Sequence, residues 1–362
     1  MLPKRLLSLD FLRGFIMVLL ALESAGIHRL LIHSSEGTWF YNMATQLDHH
    51  PWNGLRFWDL IQPGFMFIAG TAMAYSLHRQ KQNGIPWSGS FKKALKRSGW
   101  LFFWGVLDYA VRKAGLSFEL WDVLTQLSFT MLLAFLIFGF SSRTQIIICF
   151  TILFLTEALY RFTHIPGFDQ PFTDQHNFGN YVDLLLMNKI NSGGWVAINC
   201  LPTAVHTIAG ALVGKLLLSD RNDKVKTLLI WAGICLLLGF GMDGLHITPI
   251  IKRIATTSFT LASLGWCLLG LAACYWWIDI KNHRRFLFFF TVVGMNSIFI
   301  YLFFEIVGHR WFNEYVGAVT NGLMELAQIP PLLMQFITCL SIFALEWGMC
   351  YFLYKKKIFF RL

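Results

Sequence analysis

The chain has 362 residues, of which 56% are hydrophobic, 16% aromatic and 14% charged, with a formal net charge of +10. A soluble domain carries roughly 25% charged residues, and an apolar surplus spread over the whole length exceeds what one globular core can bury. Intrinsic disorder, a disulfide-rich secreted scaffold and a soluble enzyme are thereby excluded, leaving a polytopic membrane protein of the all-α class, one helical bundle in lipid.

A hydrocarbon core about 30 Å thick takes about 20 apolar helical residues. On that measure ten spans follow one another, at about 11–32, 58–78, 95–111, 121–140, 144–160, 196–218, 226–241, 255–278, 285–307 and 332–354. The first reads as a span and not as a cleaved signal peptide, because Arg13 and Glu23 interrupt it. With the N-terminus in the cytoplasm, 20 Lys and Arg fall on that side and 9 on the other, with Arg13 inside the membrane. The positive-inside rule then predicts an even number of spans and both termini cytoplasmic. The basic balance is topological and calls for no nucleic acid.

Eight histidines (His28, His33, His49, His50, His164, His176, His246 and His309) fall in the external connections. The longest of these, about 33–57 and 161–195, are rich in Gly, Asn, Asp, His and aromatics, so polar chemistry is expected on the outer face. With no internal repeat, heptad run or linker, residues 1–362 read as one domain. The seven cysteines lie in apolar stretches and read as small buried hydrophobes.

An ionisable side chain at membrane depth costs roughly 2.5–3.5 kcal/mol on insertion scales and normally faces a bundle interior or a watery cavity. Asp10 and Arg13, three apart, are expected to pair at the cytoplasmic mouth of the first span. Asp108, Asp122 and Glu157 lie near span ends, where water reaches. Asn199, Thr203, His206 and Gly210 share one helical face of the sixth span. That face either holds neighbouring helices together by hydrogen bonds or walls a cavity, with Pro202 loosening the backbone. Ser297, Tyr301 and Glu305, next to Asn296, give the ninth span a second polar face.

The segment from Asp48 to Pro63 gathers His49, His50, Trp52, Arg56, Trp58 and Asp59 at the outer entry of the second span. Pro51 biases His50 toward an extended conformation, and neighbours on an extended chain point oppositely, so the two imidazoles are expected in different environments. No His-x-x-x-His or His-Glu-x-x-His pair suggests a metal. No Gly-x-Ser-x-Gly elbow, phosphate loop or dinucleotide fingerprint occurs either.

Several of these segments resemble one family. Ser8-Leu9-Asp10-Phe11-Leu12-Arg13-Gly14 is similar to the Ser-x-Asp-x-x-Arg-Gly opening of the heparan-α-glucosaminide N-acetyltransferase family of transmembrane acyltransferases. His49-His50-Pro51-Trp52-Asn53-Gly54 and the run Asp59 to Gly70 resemble its His-x-x-Trp-x-Gly and Asp-Leu-x-x-Pro-x-Phe-x-Phe-x-x-Gly signature. Leu201-Pro202-Thr203, Pro249 to Phe259 and Gly294-Met295-Asn296-Ser297 are similar to its later landmarks.

The resemblance implies acetyl transfer from cytoplasmic acetyl-CoA to an amino sugar or sugar hydroxyl across the membrane, with no metal. It puts the family's active histidine at His49 and its aspartate at Asp59, and gives His50 no role. Glu23-Ser24 stands where many relatives carry an asparagine. Lacking the large lumenal N-terminal region of the animal enzyme, the chain resembles the compact bacterial members, which suggests a bacterial cytoplasmic membrane.

The chemistry agrees. An amine must be uncharged and a hydroxyl must lose its proton as it attacks a thioester, and imidazole titrates near working pH. His49 is expected to act either as that base or as an acetyl acceptor, with Asp59 and Glu23 orienting or binding. Asn199, Thr203, His206 and Asn296 are candidate lining groups. Lys4, Arg5, Arg13 and the Arg79–Arg97 loop are candidates for the CoA phosphates. The expected partners are acetyl-CoA, a saccharide acceptor and the lipid bilayer, and a homodimer is left open. A secondary transporter for a sugar or organic anion is the alternative, but it would normally show an internal repeat and paired broken helices.

Overall fold

The computed structural model describes residues 6–112 and 115–360. Among these the chain is helical, with one isolated antiparallel bridge between Asn53 and Ile251. The α-helices are α1 (Leu7–Ser24), α2 (Ile27–Ser35), α3 (Tyr41–Ala44), α4 (Ile61–Gln82), α5 (Trp87–Ala110), α6 (Val123–Ile137), α7 (Ser142–Phe162) and α8 (Phe178–Met187). After these come α9 (Cys200–Leu218), α10 (Lys224–Gly244), α11 (Thr257–Cys274), α12 (Leu287–Gly294), α13 (Ser297–Phe303), α14 (Asn313–Leu326) and α15 (Pro331–Lys355). Two π-helical stretches, Tyr275–Ile280 and Phe304–Phe312, continue α11 and α13.

Six helices are long and apolar enough to cross a membrane, or up to eight if each of two bent pairs forms one span. The protein is an integral membrane protein. Each of the ten segments expected to cross contains helix, but two fall short of a simple span in length or apolarity. Val123–Ile137 has only 15 residues, and Trp87–Ala110 carries Lys92, Lys93, Lys96 and Arg97 in its first half, a concentration of charge that belongs in water or headgroups.

Two bends depart from the straight spans expected near residues 11–32 and 285–307. α1 and α2 meet at 66°, where Gly26 takes φ 86°, a conformation that glycine adopts without a Cβ clash. The turn is pinned by Ser24, whose hydroxyl donates to Glu346 Oε1 at 3.0 Å and whose carbonyl accepts from Asn313 Nδ2 at 2.7 Å. α12 and the helical run after it meet at 71°. Asn296 sits at that break and binds the C-terminal tail, donating to the Ile358 carbonyl at 3.2 Å and accepting from Phe360 N–H at 3.0 Å.

The core is organised on α4 and α9, which lie backbone to backbone. A Cβ at Gly70 would land on the Thr207 carbonyl, and one at Gly210 on the Phe67 carbonyl. Small residues allow this approach, as is usual where lipid provides no hydrophobic drive between helices. Met17, Met66, Phe67, Leu101, Leu124, Ile208 and Leu271 fill the surrounding bundle. Gly210→Leu is therefore expected to force α4 and α9 apart, costing about 1–3 kcal/mol or more. A lowered thermal unfolding midpoint in detergent would register this, and an unchanged midpoint would contradict the close contact.

Candidate active site

The N-terminal entry of α4 is built around Asp59, which is 1% exposed. Its Oδ2 accepts backbone N–H groups from His50 at 3.2 Å and Arg56 at 2.9 Å. Its Oδ1 lies 2.9 Å from His49 Nδ1. The Arg56 guanidinium donates back to the His49 carbonyl at 2.9 Å. The segment 49–59 thus closes on its own aspartate, which fixes the imidazole.

A second loop completes the site. Gly54 N–H donates to the Ile250 carbonyl at 2.8 Å, stitching this segment to residues 249–256. That loop is shaped internally: the hydroxyls of Thr256 and Ser258 donate to the Pro249 carbonyl at 2.7 and 2.6 Å, and Ile251 N–H donates to Thr256 Oγ1 at 3.0 Å. It delivers Lys252, 7% exposed, with Nζ 3.1 Å from His49 Nδ1 and 3.7 Å from Asp59 Oδ1. Trp195 covers both, its ring edge-on to His49 at 5.7 Å and beneath Lys252 Nζ at 5.3 Å. His50 points elsewhere, its ring lying over Gly54.

Burial and the neighbouring Lys252 charge hold the His49 imidazole below its ordinary 6.5, against the opposing pull of Asp59. Burial likewise brings Lys252 down to about 8, with Asp59 and Glu23 working against it. With the Nδ1 proton given to Asp59, His49 presents the lone pair of Nε2; that tautomer is assigned from the contacts.

His49, Lys252 and Trp195 open on a cavity of about 290 Å³. Glu23 from α1, Gln62 from α4, Asp122 from the start of α6 and Tyr301 and Glu305 on the ninth expected span also line it. Tyr301 donates to Asp122 Oδ2 at 3.0 Å. Behind this wall Asp108 is held by Arg112 and Arg310, each at 3.1 Å. His49 and Asp59, read from the sequence as one cluster, and Glu23, read apart from them, thus come together at one site. Lys252, Trp195, Asp122, Tyr301 and Glu305 join them. Lys252 carries no sequence signal beyond its place in the Pro249 to Phe259 segment, whereas Asp122, Tyr301 and Glu305 read in the sequence only as polar groups in or near spans.

Four of the expected lining residues are elsewhere. Asn199, Thr203 and His206 are at most 2% exposed and serve packing. Asn199 Nδ2 donates to the Arg253 carbonyl at 3.2 Å, Thr203 Oγ1 to the Asn199 carbonyl at 2.8 Å, and His206 Nε2 meets Ser263 Oγ at 2.9 Å. On that face His206 bonds across to α11, while Thr203 bonds within its own helix and Asn199 to the loop of residues 249–256. Asn296, instead of lining a cavity, holds the C-terminal tail.

A larger cavity of about 870 Å³ lies toward the opposite end of the bundle, between α4, α5, α6 and α13. Lys93, Lys96 and Arg97 line it beside Trp104, Phe299 and Phe303, and the buried Arg97 Nε has no hydrogen-bond partner. Arg13, 3.8 Å from Asp10, lies within electrostatic reach of Arg97. Lys4 and Arg5 lie outside the described residues.

The chain is similar to heparan-alpha-glucosaminide N-acetyltransferase of Mus musculus, at 23% identity over an alignment of 428 residues that covers 99% of this chain. It spans 60% of that relative's length. No family model matches. The likeness marks a distant relationship to an N-acetyltransferase.

Removing the Asp59 carboxylate strands a buried ammonium. Asp59→Ala is expected to cost about 3–5 kcal/mol, seen as a lower unfolding midpoint in detergent. Adding Lys252→Met should restore part of the loss; purely additive losses would show that the two groups are not coupled.

Proposed function

We propose that this protein is a transmembrane acetyltransferase, moving an acetyl group from cytoplasmic acetyl-CoA to an amino sugar or sugar hydroxyl on the external side. The observation that carries this reading is the pairing of two cavities of opposite chemistry. One holds an imidazole oriented by a buried carboxylate and edged by Glu23 and Glu305; the other is apolar with a basic rim. The distant likeness to an N-acetyltransferase points the same way.

In this reading the bundle crosses the membrane ten times with both termini in the cytoplasm, in a bacterial cytoplasmic membrane. Lys93, Lys96 and Arg97, with Arg13 close by, meet the phosphates of the donor, and the apolar walls take its pantetheine arm. At the other cavity His49 Nε2 accepts the proton that the acceptor loses as its nitrogen or oxygen bonds to the thioester carbon. The carbon–sulfur bond breaks and the thiolate leaves. An alternative course has His49 accept the acetyl group first. The carboxylates of Glu23 and Glu305 suit an acceptor that arrives as an ammonium and leaves one proton with one of them, so that the free amine attacks and His49 takes the second.

His49→Ala is expected to lower acetyl transfer by about two to four orders of magnitude, the usual worth of a positioned base, while leaving a folded bundle; His50→Ala should be mild. Near-normal turnover in folded His49→Ala protein would show that another group does the chemistry.

Sidedness is tested in sealed right-side-out vesicles. Acetyl-CoA loaded inside should acetylate an acceptor supplied only outside, and donor supplied only outside should fail until the vesicles are permeabilised. A cysteine at the exposed position of Asp169 should react with an impermeant thiol reagent added outside, and one at Gln82 should not. Equal turnover with both substrates confined to the cytoplasmic side would refute transfer across the membrane.

A further inference from the structure

Asp59 alone would make His49 a strong base that is already protonated, because a carboxylate beside an imidazole favours imidazolium. The site contains a correction to this. Lys252 Nζ stands 3.1 Å from His49 Nδ1 and shares Asp59 Oδ1 with it, at 3.7 Å against 2.9 Å for the imidazole. Its exposure of 7% keeps water from screening the charge, and Trp195 closes over it.

We propose that Lys252 is a positioning residue that poises His49: its ammonium balances the Asp59 charge, so that Asp59 orients the imidazole by hydrogen bonding without drawing it into the charged form. The proposal rests on reading His49 as the reacting group. Nδ1 has either a proton to give Asp59 or a lone pair to accept from Lys252, so the two neighbours compete for one nitrogen. While the proton stays on Nδ1, directed at Asp59, Nε2 is free as a base at neutral pH. A second positive charge on the ring would stand against Lys252 at contact distance, and that repulsion keeps the imidazole uncharged.

The other charged groups around the pair are accounted for. His49 is flanked by Asp48 and His50 in its own segment and by Arg56, whose guanidinium holds the His49 carbonyl. Lys252 is faced by Glu23 from α1 and by its neighbour Arg253. Across the cavity stand Arg112, Tyr109, Asp122, Tyr301 and Glu305. Among the groups that touch His49 Nδ1, Lys252 is the cation, so its removal leaves Asp59 unopposed there.

The test reads the protonation of His49 directly. Diethyl pyrocarbonate modifies only the uncharged imidazole, so the rate of labelling at His49 against pH gives its midpoint, measured by peptide mass spectrometry in a His50→Gln background. In Lys252→Met that midpoint should rise by about one pH unit or more, and the acidic limb of acetyl transfer should rise with it. Transfer should recover at higher pH. Lys252→Arg, which keeps the charge, should stay near the parent midpoint.

Lys252→Gln keeps a donor to Asp59 without the charge and should shift like Lys252→Met, which covers the case in which the methionine variant does not fold. An unchanged midpoint in the folded uncharged variants would overturn the proposal, as would an equal shift in Lys252→Arg. Loss of transfer at every pH with no shift would assign Lys252 a purely structural role or make it the reacting group itself. If the parent protein labels as expected but transfers no acetyl group, the functional reading fails while the coupling of Lys252 to His49 stands.

Discussion

A carboxylate taken out of water at the mouth of a membrane bundle is the constraint from which this site follows. An ion removed from solvent costs several kcal/mol unless its lone pairs are met. Asp59 meets that demand with two backbone N–H groups from its own segment, an imidazole and a facing ammonium. Each partner is thereby fixed: the N–H groups curl residues 49–59 into a closed loop, the imidazole is oriented by its Nδ1, and Lys252 is drawn in from a loop nearly two hundred positions away. The same aspartate therefore shapes the loop, seats the imidazole and joins two distant parts of the chain.

The local half of that arrangement is written in the sequence and the distant half is not. His49, Pro51, Arg56 and Asp59 stand within eleven residues, so their chemistry is visible as one cluster and the extended bias before proline already separates His49 from His50. Lys252 gives no such warning, because a lysine between two apolar helices reads as an ordinary loop charge. The Gly54 to Ile250 hydrogen bond and the bridge between Asn53 and Ile251 bring its loop to the imidazole. The polar face of α9 shows the converse. Its spacing is real, yet periodicity states only that the residues share a side, and what that side meets depends on the neighbour. Here the neighbour is α11, whose Ser263 takes up His206.

The helical segments were legible from hydropathy, but the two bends were not, because a window average does not register a change of direction. Gly26 and Asn296 supply those changes by different means, one through backbone freedom and the other through side-chain bonds to the tail. Both bends matter for the site. The first lies just beyond Glu23, and the second begins the helical run that carries Tyr301 and Glu305 into the cavity.

That run bears on how far a transferred group would have to travel. Tyr301 and Glu305 face the cavity of His49, while Ile298, Phe299, Leu302, Phe303, Ile306 and Val307 face the larger, basic-rimmed one. The two sets interleave along this run, which is a wall common to both cavities, whereas along α4 the smaller cavity is lined at Ile61, Gln62 and Phe65 and the larger at Met73, Ser76, Leu77 and Gln80. From Ile298 to Glu305 the rise is about 10 Å at 1.5 Å per residue, a fraction of a hydrocarbon core about 30 Å thick. Under the proposed acetyl transfer, the flexible arm of a donor held by Lys93, Lys96 and Arg97 has this shared wall to pass. The protein could remain a fixed partition with polar groups concentrated at its two mouths, as the cost of charge in lipid requires.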